Sequence, residues 1–243
     1  MDYKYPTPQL LLKAICDAIR SKTNSTDKIL HQNISDELDN IIVNINEEEY
    51  NIEMQRFIDI IEGTSFINDR ITTVKSKLFD HCSGLTTIDL PKCTSIKSVA
   101  FNNCTSLTTI DLPKCTSIGE YAFAYCENLT TVNLPKCTSI GEYAFDHCSG
   151  LTTIDLPKCT SIEYYAFDNC TSLTTIIFSA NQVVYICRNA FISSPIGRGT
   201  GYVYVPDNLV NSYKSDTDWS TYANQIKPIS SLPSNLKEEY GYV

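Results

Sequence analysis

Nine cysteines recur at a constant interval of eleven residues: Cys82, Cys93, Cys104, Cys115, Cys126, Cys137, Cys148, Cys159 and Cys170. Each occupies one of two fixed places in a 22-residue repeat, so the interval is half a period. Leu107–Asn128 (LTTIDLPKCTSIGEYAFAYCEN) and Leu129–Gly150 (LTTVNLPKCTSIGEYAFDHCSG) agree at 16 of 22 positions. Near-identity at a fixed short period marks a solenoid: one unit cannot bury its apolar face alone, and neighbours stacked in register supply a continuous core. The same regularity argues against a globular active-site scaffold.

Within a unit, Leu85, Ile88 and Leu90 follow L-x-x-I-x-L, which turns apolar side chains toward a core from a short strand, and Pro91 stops that strand. The second half supplies Ile96, Ala100 and Phe101, read as a second short strand followed by a turn of helix. Stacking then places Phe79, Phe101, Phe123, Phe145 and Phe167 in one buried column, with Cys93, Cys104, Cys115, Cys126, Cys137, Cys148, Cys159 and Cys170 as core fillers. Strands about 4.8 Å apart would stack six coils into roughly 30 Å. The expected fold is a right-handed repeat solenoid, mainly β with short helical turns, built on a parallel sheet of 22-residue coils. A small α-helical N-terminal module and a C-terminal cap flank it.

The flanks differ in composition from the repeats. Residues 1–50 read as a helical module: Thr7 and Pro8 start a first helix on Leu11, Ile15 and Ile19, and Ile34, Leu38, Ile41 and Ile45 mark a second. Residues 51–84 hold an N-terminal cap and a degenerate first repeat, and 85–195 the solenoid proper. Residues 196–230 form a C-terminal cap, with a strand at Tyr202–Val205, a helix opened by Pro206 and Asp207, and a second from about Trp219 to Ile226. Residues 231–243 are polar, proline-broken and terminal, and a mobile tail is expected there.

Bulk charge and hydropathy narrow the partners. Twenty-eight acidic against 19 basic residues give a net charge of −9, which repels nucleic-acid phosphates. No nucleic-acid partner is expected. The N-terminal apolar run spans only Leu10 to Leu12, which predicts neither a signal peptide nor membrane insertion. Location is therefore left open by the residues themselves.

The cysteines invite redox, metal and catalytic readings, and each fails on spacing. Nine stacked thiols are an odd number, and equivalent thiols of neighbouring coils point in parallel rather than at one another. The smallest cysteine interval is eleven, far from C-x-x-C ligand spacing, and His81-Cys82 and His147-Cys148 recur because the repeat does. No thiol is set apart from its copies by a local base. Free thiols acting as small apolar side chains are expected, with no metal, no cofactor and no catalytic residues.

Surface ladders are the remaining candidates for function. Asp89, Asp111, Asn133 and Asp155 form one rank, and Lys92, Lys114, Lys136 and Lys158 another three residues further on, so charge pairing outweighs cation binding. Thr87, Thr109, Thr131, Thr153 and Thr175 add a hydroxyl strip. Tyr121, Tyr143 and Tyr165 take equivalent places, and two readings of them stay open: interface anchors, or rings stacked on each other. Tyr121, Tyr143, Tyr165, Thr109, Thr131, Asp111 and Asp155 are the binding candidates.

LTTIDLPKCTSIGEYAFAYC and LTTIDLPKCTSIEYYAFDNC resemble the BspA-like leucine-rich repeat of bacterial surface proteins, whose usual form ends in A-F-x-x-C-x-x-L. The resemblance covers about Thr72 to Phe191, and YVYVPDNLVNSYKSDTDWSTYANQIKPI is similar to the ending of such arrays. LLKAICDAIRSKTNSTDKI resembles a short helical module at the start of phage tail and prophage-encoded proteins. The resemblance implies a non-enzymatic scaffold that recognises a protein or glycan, through adhesion or cell-surface interaction, with near-identical coils favouring a repetitive ligand. The alternative it implies is a structural or receptor-binding part of a phage or prophage tail, and either would place the chain at a cell surface or on a virion. A third reading, a thiol enzyme, requires at least one low-pKa cysteine.

Overall fold

The computed structural model describes residues 65–67 and 71–242, with side-chain surroundings from residue 71 onward. The chain divides into two compact units, Met1–Glu62 and Gly63–Val243, and the described residues all belong to the second. The helical module expected over 1–50 therefore lies outside the described residues.

Strands alternate in length along the chain. The longer ones are β1 (Ser65–Ile67), β3 (Thr87–Asp89), β5 (Thr109–Asp111), β7 (Thr131–Asn133), β9 (Thr153–Asp155) and β11 (Thr175–Ile177). Interleaved with them are the two-residue strands β2 (Thr73–Val74), β4 (Ser95–Ile96), β6 (Ser117–Ile118), β8 (Ser139–Ile140), β10 (Ser161–Ile162) and β12 (Tyr185–Ile186). Each coil contributes one of each, and all pairings are parallel, with Thr87 facing Thr109 and Thr109 facing Thr131. The short strands make an uninterrupted six-stranded sheet, whereas the long ones are divided between β7 and β9 into two four-stranded sheets, the second completed by β13 (Tyr202–Val205) and β14 (Ile226–Pro228). The architecture is a parallel β-solenoid with 22-residue coils, as the period predicts.

The corner carrying Ala-Phe is not the helical turn that the sequence suggests. Alternate N–H groups leave the coil: Phe101, Phe123 and Phe145 donate to the carbonyls of Ala122, Ala144 and Ala166 at 2.7–2.8 Å. The residues between them donate back within their own coil, as Ala122 N–H does to Gly119 O at 3.3 Å. A helix would keep all these bonds inside one segment. Alternation is achieved by placing Lys77, Val99, Tyr121, Tyr143 and Tyr165 at φ of 62°, 63°, 52°, 53° and 56°, and His81, Asn103, Tyr125, His147 and Asn169 likewise in the left-handed region.

The core is filled by repetition. Phe79, Phe101, Phe123, Phe145, Phe167 and Phe191 are fully buried and stack at centroid separations of 4.7, 5.1, 5.4, 5.3 and 5.8 Å. The C-terminal end of that column is closed by Trp219, buried against Phe191, Phe178 and Tyr213. Its indole N–H donates to Val184 O at 2.6 Å.

After β13 (Tyr202–Val205), a 3-10 turn at Asp207–Leu209 leads into helix α1 (Val210–Ser215). The helix expected from Trp219 to Ile226 is only a 3-10 turn, Ser220–Tyr222, because the chain must then extend as β14 (Ile226–Pro228) to pair with β13. In place of the mobile tail expected over 231–243, helix α2 (Ser234–Tyr240) follows Pro233 and ends at Gly241, whose φ of 75° suits a C-cap. Leu236, Tyr240 and Tyr242 pack against Ile177, Tyr204 and Leu232, an apolar anchor hidden from a composition-based reading of that segment.

Candidate functional site

The two cysteine columns are core, and each uses its thiols in a fixed way. Cys93, Cys115, Cys137 and Cys159 donate to the carbonyls of Ser95, Ser117, Ser139 and Ser161 at 3.3–3.4 Å, and Cys104, Cys126, Cys148 and Cys170 to Phe79, Phe101, Phe123 and Phe145 one coil earlier at 3.0–3.2 Å. Each thiol is thus an apolar filler and a weak donor at a carbonyl of the coil corner. All described cysteines are buried free thiols. Burial pushes these eight thiols up, Cys115 and Cys159 to about 12. A nucleophilic or metal-binding thiolate needs the opposite shift.

The outward face of the long strands carries the threonine and aspartate ranks, and its two halves differ. On the N-terminal half, Asp111 accepts from Asn133 Nδ2 at 2.7 Å, and Thr131 and Asn133 are exposed. Thr109 is half-buried beside them. On the C-terminal half, Asp155 accepts from the hydroxyl of Tyr242 at 2.9 Å, and that hydroxyl also lies 3.1 Å from Ser179 Oγ. Burial pushes the Asp155 carboxyl up to about 6, against the opposing pull of the Tyr242 hydrogen bond. Asp111 and Asp155 are therefore equivalent in sequence and different in surroundings.

Tyr121, Tyr143 and Tyr165 are half-buried and stack face to face, with centroids 4.6 and 4.9 Å apart and planes within 7°. Asn189 Nδ2 donates to the Tyr165 hydroxyl at 3.0 Å. The stack uses the ring faces between neighbours, so the column offers edges and hydroxyls to the outside. The two open readings of these residues thus combine: the rings support each other, and only their rims remain for a partner. Burial, and then the neighbouring phenol, raise the Tyr121 and Tyr143 hydroxyls, with Glu120, Glu142 and Asp146 adding to the shift.

A corner that sequence reasoning passed over lies one left-handed position further on. Asp146 is buried, with His147 Nδ1 at 2.9 Å in ion-pair range, though not in hydrogen-bond geometry, and Asn169 Nδ2 at 3.4 Å. Burial raises the Asp146 carboxyl, and His147 and Asn169 partly offset it. The Tyr125 ring stacks on His147 at 4.5 Å. Only the departure from the preceding coil, Asp-His for Ala-Tyr, distinguishes this corner in the sequence. Among the described residues no group of three or more His, Cys, Asp or Glu could hold a metal ion.

The lysine rank runs along the turn after each proline, and Lys114, Lys136 and Lys158 are all exposed. The aspartate rank does not neutralise it as the sequence suggests. Asp111 and Asp155 are engaged by Asn133 and Tyr242, and among the described residues these three lysines form no ion pair.

The profile of the BspA-type leucine-rich repeat region matches residues 50–157 and 94–207, in six copies. The chain belongs to this family. A leucine-rich repeat protein from Bacteroides ovatus is 29% identical with a TM-score of 0.53, over 68% of this chain and 42% of that one. The chain thus spans less than half the length of that relative. A leucine-rich repeat protein of T. pallidum is 22% identical over 65% of this chain and 79% of its own, with a TM-score of 0.42. A leucine-rich cell surface protein of Faecalibacterium prausnitzii is 20% identical over 67% and 70%, with a TM-score of 0.33. No curated protein matches the chain. Family and fold are those of a repeat scaffold, and no helix among the described residues is long and apolar enough to cross a membrane.

Proposed function

We propose that this repeat protein is a non-enzymatic recognition scaffold whose ligand, a protein or glycan, is read by the exposed ladders in an adhesive or surface-interaction role. The observation that carries this reading is the register: Thr109 faces Thr131, Asp111 faces Asn133, and Tyr121, Tyr143 and Tyr165 repeat at the same step. Identical groups at a constant step suit a ligand that is itself repetitive, because each added contact is made at high effective concentration. Two faces qualify: the open half around Thr109, Asp111, Thr131 and Asn133, and the tyrosine rims. The covered Asp155 is removed from that surface by Tyr242. A scaffold is favoured over the thiol-enzyme reading because burial raises the Cys115 and Cys159 thiols, away from the thiolate that such an enzyme needs.

A glycan array and a panel of extracellular matrix proteins, probed with the full chain, should return a ligand whose binding the double variant Thr109→Gln/Thr131→Gln weakens about tenfold or more, the cost of two blocked contacts of ordinary size. Thermal unfolding should be unchanged, because both side chains project outward. Equal binding by the variant would remove the open sheet face from the site, and the same comparison with Tyr143→Phe would then test the tyrosine hydroxyls.

A further inference from the structure

Lys114, Lys136 and Lys158 occupy one position of three consecutive coils, immediately after Pro113, Pro135 and Pro157. The turn is held identically each time, with the N–H of Cys115, Cys137 and Cys159 donating to the carbonyl of Leu112, Leu134 and Leu156 at 3.1–3.2 Å. The three ammonium groups therefore leave the backbone at a spacing of about 4.8 Å, the separation of neighbouring strands. All three are exposed and unpaired in a protein of net charge −9. The acidic side chains Glu120 and Glu142 lie in the other half of the coil, where they add to the rise of the tyrosine hydroxyls. Closer to the ridge, Asp111 and Asp155 precede Lys114 and Lys158 by three residues, and their carboxylates accept from Asn133 and Tyr242.

We propose that the Lys114, Lys136 and Lys158 ridge, with Thr131 and Asn133 beside it, binds a linear acidic polysaccharide lying along the stack axis, its sulfate or carboxylate groups paired to successive lysines. The inference rests on the scaffold reading and names its ligand class and face. The width of the ridge argues for a single chain, since one lysine per coil gives a single line of charge along the stack. A single-stranded nucleic acid would also be linear, but its bases need exposed ring faces to stack on. Here the ridge is bordered by prolines and threonines, and Tyr121, Tyr143 and Tyr165 lie in the other half of the coil, stacked on one another. Sugar hydroxyls, in contrast, match the exposed Thr131 and Asn133.

The test is fluorescence anisotropy of the full chain with four labelled polymers at low salt: heparin, hyaluronan, neutral dextran and oligo(dT). Binding to heparin, weakening as salt rises, is expected, because ion pairing releases counterions. Hyaluronan binding alongside heparin would mean that carboxylates suffice, and heparin alone that sulfate is required; both outcomes support the ridge. The triple variant Lys114→Glu/Lys136→Glu/Lys158→Glu should lose roughly a hundredfold or more in affinity and flatten the salt dependence, while the all-arginine variant retains both. Oligo(dT) binding as tight as heparin, or heparin binding unchanged in the triple glutamate variant, would overturn the proposal. If no acidic polymer binds while the array returns a ligand blocked by Thr109→Gln/Thr131→Gln, the ridge inference falls and the scaffold reading stands.

Discussion

Strands β3, β5 and β7 and strands β9 and β11 come from one repeated phrase, yet the two halves of that wall meet their surroundings differently. On the first half, the aspartate rank ends in an Asn133 that bonds Asp111 laterally, Thr131 is exposed, and Thr87 and Thr109 are half-buried. On the second half, helix α2 and Tyr242 lie over the wall, Asp155 is covered, and Thr175 is buried. The ladder is interrupted between the halves, although the short-strand sheet runs through without a break. In a solenoid, repeated residues fix the coil but not its exposure. What distinguishes one coil from the next is the non-repetitive segment that docks on it, so recognition is expected on the half that the C-terminal segment leaves free.

The sharpest way to break this comparison is at the cap. Trp219 closes the phenylalanine column and holds Val184 through its indole N–H. Trp219→Ala should cost about 3–5 kcal/mol in urea unfolding, the range for a large aromatic removed from a core. The loss should appear first in amides of β11 to β14 by hydrogen exchange, because coils in a solenoid are stabilised by their nearest neighbours. Uniform loss of protection from β3 to β14 would mean that the halves are not distinguishable units.

A smaller effect separates the halves by pH. The Asp155 carboxyl, raised from 3.8 to about 6, binds its proton more tightly folded than unfolded, so the folded state gains protons between those values. Stability tied to this group is therefore fully present below about pH 4 and is lost as pH rises through 6, a change of about 3 kcal/mol at most. Asp155→Asn should abolish that component, whereas Asp111→Asn, on the open half, should leave it intact. Identical pH profiles of the two variants would sink the claim that α2 creates the difference.

The parts legible in the sequence are those in which each coil repeats its neighbour. The Leu-Ile-Leu strand, the phenylalanine column and the core place of the cysteines all follow from spacing, because the apolar positions of a repeat can only face the shared core. Three features stayed hidden. The turn of helix expected around Ala-Phe is replaced by alternate hydrogen bonds to the next coil, which local sequence does not encode, and by a tyrosine in the left-handed region. The pairing of Tyr242 with Asp155 joins residues 87 apart and carries no periodic signal. The cysteine thiols as donors to backbone carbonyls were hidden for a related reason, since donation depends on where a carbonyl points and not on residue spacing.

The tyrosine column supplies the next test. Tyr143 has a stacked ring on both sides, whereas Tyr125, exposed, stacks on one imidazole. Tyr143→Ala should cost about 1–2 kcal/mol from two lost aromatic contacts, and Tyr125→Ala less than half of that. Equal costs in urea unfolding would show that the left-handed backbone, common to both positions, dominates over stacking.

The smallest expected change is a gain, and it again sets one coil against the others. Val99 holds the place that Tyr121, Tyr143 and Tyr165 hold further along, at a φ of 63°. A β-branched side chain crowds the backbone there more than an unbranched one, and asparagine is the residue other than glycine that enters this region most readily. The protein itself uses asparagine at the same corner position in the last coil, Asn189, and at the second left-handed position four residues further on, Asn103 and Asn169. Val99→Asn should therefore raise stability by about 0.5–1 kcal/mol, through relief of strain, with Val99→Thr giving no gain because it keeps the branch. Tyr121→Asn should lose stability despite the same backbone, since it forfeits the stack on Tyr143. Opposite signs for one substitution at two equivalent corners would show that repeat position sets the backbone and neighbouring coils set its energy; matching signs would put the whole effect in the backbone.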